Sequence, residues 1–279
     1  MDVLLKGQTA VVTGAGRGIG RAIARRLAAA GAAVAVNDFN PESAGETVEA
    51  VLAAGGSALP FPADITDNLQ VEGMIGAVLE SYGRIDILVN NAGIPGPSLL
   101  VQDTPPPAWE RTFAVNMHGA FYCCRVVLPH MMERRRGKIV NISSLAGRRI
   151  SKLGGADYTA SKYALIGFSK HLAFEAAAFG INVNVVCPGP TLTDLVREKT
   201  TEEFRAEVGS QVPLGRWVRP EEQADAVLFL VSDAAAMITG QILDVDAGQL
   251  IGLAADYRED LRRRTENNEL NLSKLKGVE

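Results

Sequence analysis

Short apolar segments rich in β-branched residues alternate with longer helix-patterned segments along most of this 279-residue chain. The segments with the length and composition of buried strands are Thr9–Thr13, Ala33–Asn37, Ala58–Pro62, Ile85–Asn90, Lys138–Ser143, Asn182–Cys187 and Ile242–Val245. Helices are predicted around Arg21–Ala30, Glu42–Ala53, Leu69–Ser81, Trp109–Arg134, Tyr158–Phe179 and Glu221–Val231. Continuously apolar strands separated by helices are typical of a parallel sheet covered on both faces. The alternation therefore predicts an α/β fold.

The chain shows no linker between Thr9 and Gly248, so we expect a single domain over residues 1–252. Within it, the proline-rich stretch Ile94–Pro107 is typical of a surface loop. Beyond Leu253 the composition changes to charged and amide residues with scattered leucines. This charged tail, residues 253–279, is compatible with a short amphipathic helix, a subunit contact or disorder, and the sequence does not choose among them.

The composition argues against several classes of protein. Apolar residues make up 47% and charged residues 22%, as in an ordinary globular domain, and the net charge of −4 gives no reason to expect a nucleic-acid partner. The three cysteines form no CxxC pair and the three histidines no ligand pair, which disfavours disulfides and a metal site. Without a signal segment or an apolar stretch of membrane-spanning length, we expect a cytoplasmic protein with no membrane partner.

A glycine-rich turn, Thr13–Gly20, joins the first predicted strand to the first predicted helix with the spacing TGxxxGxG. Glycines in such a turn let the backbone approach a pyrophosphate at the helix N-terminus. Asp38 ends the second predicted strand, near the offset expected for an acid that binds a ribose. The alternative role for Asp38 is a helix cap before Pro41. Together, turn and acid indicate a dinucleotide site.

Asp38 also bears on which dinucleotide the site accepts. Its carboxylate would chelate the adenosine ribose hydroxyls of NAD. The 2′-phosphate of NADP would bring like charges together, at a cost on the order of a few kcal/mol. Arg17 would offset part of that cost by pairing with the phosphate. We therefore expect NAD as the cofactor, with NADP binding more weakly.

Tyr158 and Lys162 are four residues apart on a predicted helix, so their side chains share one face. A free tyrosine has a pKa near about 10, and lowering it by about 3 units takes roughly 4 kcal/mol. One unit charge about 4 Å away, at an effective dielectric constant of about 20, supplies an interaction of that size. The spacing therefore predicts that Tyr158 is a general acid/base whose pKa is lowered by Lys162.

These features recur together with other motifs in the order of the short-chain dehydrogenase/reductase family, which the chain resembles from about Leu5 to Leu250. The additional motifs are Asp64–Asp67, Asn90–Gly93, Asn116, Ser144 and Pro188–Thr193. The resemblance implies a single Rossmann-type domain with a doubly wound, seven-stranded parallel sheet and helices on both faces. It also implies NAD(H)-dependent hydride transfer between a small-molecule secondary alcohol and a ketone, carried out by a homodimer or homotetramer.

The resemblance assigns four catalytic residues. Tyr158 would exchange the proton of the substrate hydroxyl, and Ser144 would hydrogen-bond the substrate oxygen. Lys162 would bind the nicotinamide ribose, and Asn116 would anchor a water that relays protons from Lys162. Ser143 remains the alternative to Ser144, because the segment up to Tyr158 is one residue longer than in many members of the family.

The resemblance also assigns the residues that would hold the cofactor. Within this set, Asp64 and Ile65 would meet the adenine, whereas Thr191 and Thr193 would hold the nicotinamide carboxamide. Besides Tyr158 and Lys162, the set consists of Gly14, Arg17, Gly18, Ile19, Gly20, Asp38, Asp64, Ile65, Asn91, Ala92, Gly93, Pro188, Gly189, Thr191 and Thr193. No metal ligand is implied.

Other functions compete with this hypothesis. A 3-oxoacyl thioester reductase using NADPH would keep the same catalytic groups, whereas a nucleotide-binding regulator that lost the chemistry should lack at least one of them. A serine hydrolase is disfavoured, because Gly167–His171 lacks the last glycine of a GxSxG turn. The cluster Arg148, Arg149 and Lys152 would suit an anionic alcohol. The alternative is that these charges face solvent or a partner subunit.

Overall fold

The strands form one parallel sheet in the order β3-β2-β1-β4-β5-β6-β7 in a computed structural model that describes residues 5–151, 154–252 and 262–266. The strands are β1 (Thr9–Val12), β2 (Ala33–Val36), β3 (Ser57–Pro60), β4 (Ile87–Asn90), β5 (Gly137–Ile142), β6 (Ile181–Pro188) and β7 (Ile242–Val245). All seven predicted strands are thereby confirmed. The strand order reverses between β1 and β4, and ligands bind at such a switch point, outside the carboxyl ends of the strands.

Helices cover both faces of the sheet, as expected for this fold class. Between residues 5 and 252 the α-helices are α1 (Gly18–Ala29), α2 (Pro41–Ala53), α3 (Asn68–Tyr82), α4 (Pro106–Phe113), α5 (Gly119–Glu133), α6 (Ala156–Ala177), α7 (Asp194–Lys199), α8 (Glu202–Gln211) and α9 (Pro220–Val231).

Two predictions of local structure need correction. The helix expected over Trp109–Arg134 begins earlier, at Pro106, and a π-helical turn at Ala114–His118 separates α4 from α5. The predicted loop Ile94–Pro107 contains a 3₁₀ turn at Val101–Asp103, and its last residues belong to α4. Helices α7 and α8, which follow β6, were not predicted.

The hydrophobic core has two halves, one on each face of the sheet, because successive strand residues point in opposite directions. Ala10 and Val12 of β1 pack with helices α1, α2 and α9, whereas Val11 packs with α3, α5 and α6. Ala173 and Ala176 of α6 are buried in the second half, against the sheet. Their small size therefore serves packing on the strands.

Polar side chains connect the middle of the sheet to α6. The buried Asn90 donates from Nδ2 to Asn141 Oδ1 at 2.8 Å, and Asn141 in turn donates to Ser169 Oγ at 2.8 Å. Buried amides are costly unless they are hydrogen-bonded, so this chain of bonds fixes β4, β5 and α6 relative to one another. Asn90 thus serves the sheet, while its neighbour Asn91 faces the crevice.

The predictions for the charged tail fall on residues that are mostly outside the described ranges. Residues 262–266 are described, and they form an exposed helical segment. The division of the chain at residue 252 stays a prediction. Among the described helices, none combines the length and the apolar composition that crossing a bilayer would take.

Truncating a core side chain should test the assignment of α1 to the sheet. Leu27 is fully buried in the first half of the core, so Leu27→Ala should lower the free energy of unfolding by about 3 kcal/mol. Leu69, on α3, is 75% exposed, so Leu69→Ala should change it by less than about 0.5 kcal/mol. Urea denaturation measures both, and equal effects of the two changes would contradict this packing.

Candidate active site

A cleft of about 720 Å³ opens along the carboxyl ends of β1, β2, β4, β5 and β6. Every residue predicted to hold the cofactor lines this cleft, together with Ser144. Of the predicted site residues, only Asn116 does not line the cleft, and its side chain is 1% exposed. The structure thus brings together residues from Gly14 to Thr193 that the sequence alone related only by family motif.

At one end of the cleft, the glycine-rich turn brings two backbone segments into contact. Gly14 has φ +59°, and a Cβ on it would lie 2.7 Å from the Ala92 Cα. A Cβ on Gly20 would overlap the Gly14 carbonyl oxygen. Because a Cβ at either position would run into backbone atoms, glycine at both lets the turn close tightly at the N-terminus of α1.

Thr13 and Asn91 hold this turn in place. Thr13 Oγ1 accepts hydrogen bonds from the backbone N–H groups of Asn91 and Ala92, at 3.1 and 3.2 Å. Asn91 Nδ2 donates to the carbonyl oxygens of Thr13 and Gly14, both at 3.0 Å. Asn91 therefore lines the cleft and also holds the turn in place. Thr13 contributes hydrogen bonds that the glycine motif did not predict.

Asp38 lies at the end of β2 and is 9% exposed. One carboxylate oxygen accepts the Gly16 N–H at 3.0 Å, and the other accepts the Asn40 N–H at 3.1 Å. The alternative role as a helix cap is wrong, because Asn40 is the residue that caps α2. Each Asp38 oxygen keeps a lone pair for a hydroxyl group. Arg17 is exposed at the rim of the same cleft.

Asp64 and Ile65 form the wall next to Asp38. Asp64 Oδ1 accepts hydrogen bonds from the backbone and the hydroxyl of Thr66, at 2.9 and 2.8 Å. Its Oδ2 lies 3.9 Å from a guanidinium nitrogen of Arg111, a cleft residue that the sequence did not predict. Ile65 is buried and touches Gly119, where a Cβ would overlap it. This wall offers one apolar surface and one acceptor.

Asn116 is positioned by the π-helical turn between α4 and α5. Its Oδ1 accepts the Ile94 N–H at 2.8 Å, and its Nδ2 donates to the Ile94 carbonyl and to Ser161 Oγ, both at 3.0 Å. The side chain thus ties the segment after β4 to α6. Ser161 was not predicted to take part. Anchoring of a water by Asn116 stays a prediction.

Lys162 is buried in the floor of the cleft, with 4% of its surface exposed. Its ammonium group donates to the Ile142 carbonyl at 2.9 Å and lies 5.8 Å from the centroid of the Tyr158 ring. Burial lowers the pKa of Lys162 to about 8. A Cβ on Gly93 would lie 3.3 Å from both Lys162 Nζ and Asn116 Oδ1, so glycine keeps this corner open.

The prediction that Lys162 lowers the pKa of Tyr158 is wrong. Burial raises the pKa of Tyr158, and a hydrogen bond with the Ser144 side chain only partly opposes the rise. The sequence gives the spacing of the two side chains, whereas the cost of removing a phenolate from water appears only in the fold. Tyr158 is therefore a neutral phenol at physiological pH, and in that form it can donate a proton.

The two neighbouring serines have different surroundings. Ser143 is buried, and its hydroxyl donates to the Lys162 carbonyl at 3.0 Å. Ser144 is half-buried, lines the cleft and contacts the Tyr158 phenol. Its Oγ also accepts the Ala146 N–H at 3.1 Å, which fixes the side chain at the start of the turn Leu145–Gly147. Ser143 also lines the cleft, so the choice of Ser144 over Ser143 stays a prediction.

At the other end of the cleft, β6 leads into the segment Pro188–Thr193. A Cβ on Gly189 would lie 2.5 Å from the Asp246 Cα, so the chain passes β7 closely here. Thr191 is 7% exposed, and its hydroxyl donates to the Gly189 carbonyl at 3.0 Å. Thr193 caps α7, where its Oγ1 accepts the Val196 N–H at 3.4 Å. Both threonines line the cleft.

The basic cluster is only partly available to a substrate. Arg148 forms an ion pair with Asp244 at 3.2 Å, so its charge already has a partner within the chain. Arg149 is half-buried, and Lys152 lies outside the described residues. The cluster therefore gives little support for an anionic substrate. Among the described residues, no group of three or more His, Cys, Asp or Glu side chains is arranged to hold a metal ion.

Two buried polar residues near the site were also missed. Asp157, next to Tyr158, accepts a hydrogen bond from Thr112 at 2.7 Å and is 1% exposed. Gln223 of α9 is fully buried and donates to Thr191 Oγ1 at 3.0 Å. Each lies within a helix whose pattern gives no sign of a buried polar partner, and only the topology brings those partners close.

The chain is similar to known proteins over most of its length. A family profile described as enoyl-(acyl carrier protein) reductase matches residues 14–249. The 3-oxoacyl-(acyl-carrier-protein) reductase FabG of Thermotoga maritima is 38% identical over 247 residues, which cover 88% of this chain and 99% of that protein. The 2,3-dihydro-2,3-dihydroxybenzoate dehydrogenase of Bacillus subtilis is 39% identical over 258 residues, covering 89% of this chain and 98% of the relative.

Among solved structures, the chain is similar to a 7α-hydroxysteroid dehydrogenase complexed with NADH and 7-oxo glycochenodeoxycholic acid. The TM-score is 0.84 at 34% identity, and the match covers 88% of this chain and 96% of the other. These relatives act on different substrates with one architecture, so the likeness concerns the fold and the type of reaction more than the compound that reacts.

Proposed function

The chain belongs to the short-chain dehydrogenase/reductase family of oxidoreductases, and we propose that it interconverts a secondary alcohol and a ketone with NAD(H). The observation that carries this proposal is the meeting of Tyr158, Ser144 and Lys162 at one end of a glycine-walled cleft. A phenol, a hydroxyl and an ammonium group at one point are the parts needed for proton exchange at a carbonyl oxygen. The substrate would be a small molecule, and the protein would act in the cytoplasm.

The cleft fits a dinucleotide. Gly14 and Gly20 have no room for a Cβ, so the backbone turns tightly at the N-terminus of α1, and a helix N-terminus favours a pyrophosphate. Asp38, at the end of β2 where the motif predicts a ribose-binding acid, can still accept hydrogen bonds from ribose hydroxyls. When bound, the nicotinamide ring supplies or accepts the hydride. The chain's own residues then have to handle only the proton and the developing charge on the substrate oxygen.

In ketone reduction, Tyr158 would donate the phenolic proton to the substrate oxygen as the hydride arrives at carbon. Its raised pKa keeps the phenol protonated at neutral pH, which is the form that this step needs. Ser144, which contacts the phenol, would donate a hydrogen bond to the same oxygen and stabilise negative charge there. Lys162 would favour the phenolate that remains after transfer, because a nearby cation stabilises an anion.

A second function deserves a test because of the relatives. The 3-oxoacyl-(acyl-carrier-protein) reductase of T. maritima matches 88% of this chain, and a 3-oxoacyl thioester would use the same proton donor. Turnover of a 3-oxoacyl thioester with NADPH, exceeding that of free ketones with NADH, would favour this alternative. A non-catalytic regulator is disfavoured, since none of the four catalytic groups is missing.

Exposed aromatic side chains on α5 and α6 support the expectation that this chain forms a dimer or tetramer. Three aromatic side chains project from α5 and α6: Phe121 is 41% exposed, Tyr163 47% and Phe174 83%. The rings of Phe121 and Phe168 also meet edge to face, with their centroids 6.0 Å apart, so the two helices present a joint aromatic surface. Large exposed aromatic groups of this kind are enriched at subunit contacts. We therefore propose a homo-oligomer that packs through this surface.

Removing the phenolic hydroxyl tests the mechanism. Tyr158→Phe should lower kcat for NADH-linked ketone reduction by about 10² to 10⁴-fold, because the proton donor is lost, and should leave the Kd for NADH within about threefold. Tyr163→Phe, which keeps the aromatic ring at a position outside the cleft, should retain full activity. In the reverse direction the wild-type rate should rise about tenfold per pH unit, since alcohol oxidation needs the phenolate and the pKa of Tyr158 is raised. Undiminished turnover by folded Tyr158→Phe would refute the mechanism.

Cofactor choice is the second test. We expect kcat/KM to be at least about tenfold higher with NAD than with NADP, because Asp38 repels a 2′-phosphate. Asp38→Asn removes the charge at constant shape, so kcat/KM for NADP should rise and that for NAD should fall. Asp103→Asn, on an exposed turn away from the cleft, should change neither value. A wild-type preference for NADP would overturn the assignment.

The molar mass of the protein in solution tests whether the aromatic surface is a subunit contact. Light scattering of the wild type should give a multiple of the monomer mass, and Phe174→Asp should shift the distribution toward smaller species, since a charge would be buried at the contact. Leu69→Asp, at an exposed position on α3, should leave the mass unchanged. A monomeric wild type, or an oligomer indifferent to Phe174→Asp, would rule out this surface.

A further inference from the structure

Gln223 is an unusual residue for its position. It is fully buried in the first turns of α9, next to Ala224 and close to Val227 of the hydrophobic core. Its amide oxygen has no hydrogen-bond partner among the described residues. A buried oxygen without a partner costs free energy, so an apolar side chain of the same size would suit packing alone better. The amide must therefore be explained by what its nitrogen does.

The amide nitrogen bridges two segments of the chain. It donates to the Val245 carbonyl of β7 at 2.9 Å and to Thr191 Oγ1 at 3.0 Å. The Val245 carbonyl can only accept, so the nitrogen and not the oxygen of Gln223 must face it. The orientation of the amide is thereby fixed, and Thr191 Oγ1 is an acceptor in its bond with Gln223.

The remaining hydrogen-bonding capacity of Thr191 follows from this bond. A hydroxyl group has one proton and two lone pairs. Gln223 engages one lone pair, and the proton is donated to the Gly189 carbonyl at 3.0 Å. One lone pair is left, on a residue that lines the cleft. Toward the cleft, Thr191 can therefore only accept a hydrogen bond.

Thr193 is less restricted. Its Oγ1 accepts the Val196 N–H that caps α7, and its hydroxyl proton and second lone pair are not used by that bond. Thr191 thus offers an acceptor, whereas Thr193 has a proton that it can donate. A primary carboxamide presents the complement, with N–H groups on one side and a carbonyl oxygen on the other.

We propose that Gln223 is a positioning residue that holds Thr191 as a hydrogen-bond acceptor for the amide N–H of a bound nicotinamide carboxamide. The proposal rests on the proposed function, and it adds a residue that does not line the cleft and acts through Thr191. A carboxamide with the reverse orientation would set its oxygen against Thr191, which has no proton left to donate, so Gln223 contributes to the choice of one orientation.

The test is the binding of three probes to the purified full-length chain. NADH has the carboxamide, the reduced 3-acetylpyridine analogue of NADH has a carbonyl but no amide N–H, and ADP-ribose lacks the ring. Gln223→Met keeps the size and removes the amide. We expect the Kd for NADH to rise about fivefold, as for one hydrogen bond, and the other two values to stay within about twofold.

Matched variants separate positioning from packing. Gln241→Met makes the same chemical change at an exposed residue ahead of β7, and should alter no Kd. Thr191→Val should raise the Kd for NADH at least as much as Gln223→Met, and the double variant should be no weaker than Thr191→Val. Because Gln223→Met removes an unpartnered oxygen along with two hydrogen bonds, we expect its unfolding temperature within about 4 °C of the wild type. Gln223→Asn, whose amide is one methylene too short to reach Thr191, should give the same ligand pattern and serves if the first variant does not fold.

The outcomes distinguish this proposal from the proposed function. If the Gln223 variants raised the Kd of all three probes equally, or changed none of them, the positioning role would be overturned. The proposed function would not be affected by either result. Additive effects of the Gln223 and Thr191 changes would also overturn it. A wild-type chain that binds neither NADH nor ADP-ribose would refute the proposed function itself, and the positioning role with it.

Discussion

The close approach of the chain segments after β1 and β4 is the constraint on which the rest of the site depends. Gly14 lies against Ala92 with no room for a Cβ, and the side chains of Thr13 and Asn91 hydrogen-bond across the junction. If the segments separated, the N-terminus of α1 and the segment Ala92–Ile94 would move independently. Asn116 is bonded to Ile94 and to α6, so the junction also sets the distance between the nucleotide end of the cleft and Tyr158.

Burial, and not only spacing, decides the chemistry at the catalytic end. The same fold that brings Lys162 beneath Tyr158 removes both groups from water, which raises the pKa of the phenol and lowers that of the ammonium. Both shifts favour the neutral forms. In the proposed reaction, the phenol therefore already has the proton that ketone reduction needs, whereas alcohol oxidation would have to work against the desolvation of the phenolate.

The sequence predicted the sheet and most of the cleft because those features leave local signals. Buried strands are continuously apolar, and Gly14 and Asp38 occupy positions fixed by the turn between strand and helix. Helix α8 was missed because its sequence is polar and only Gly209 is buried, so it has no apolar stripe. Gln223 was missed because its partners, Thr191 and Val245, come from other elements. The sign of the Tyr158 pKa shift was wrong because spacing reports a charge but not its solvation.

The π-helical turn at Ala114–His118 has a consequence for how this chain tolerates changes in length. Each helical residue advances the helix by about 100°, and the wide turn accommodates one residue more than a regular helix would. Loss of a single residue there would therefore return the turn to a regular helix and leave the later side chains of α5 facing as they do now. Cys123 and Val127 would stay in the core, and Phe121 would still meet Phe168. Loss of a residue from a regular turn of α5 would instead rotate the later side chains by about 100°. The wide turn is thus the point in this helix pair where the chain can lose a residue without disturbing its outer surface.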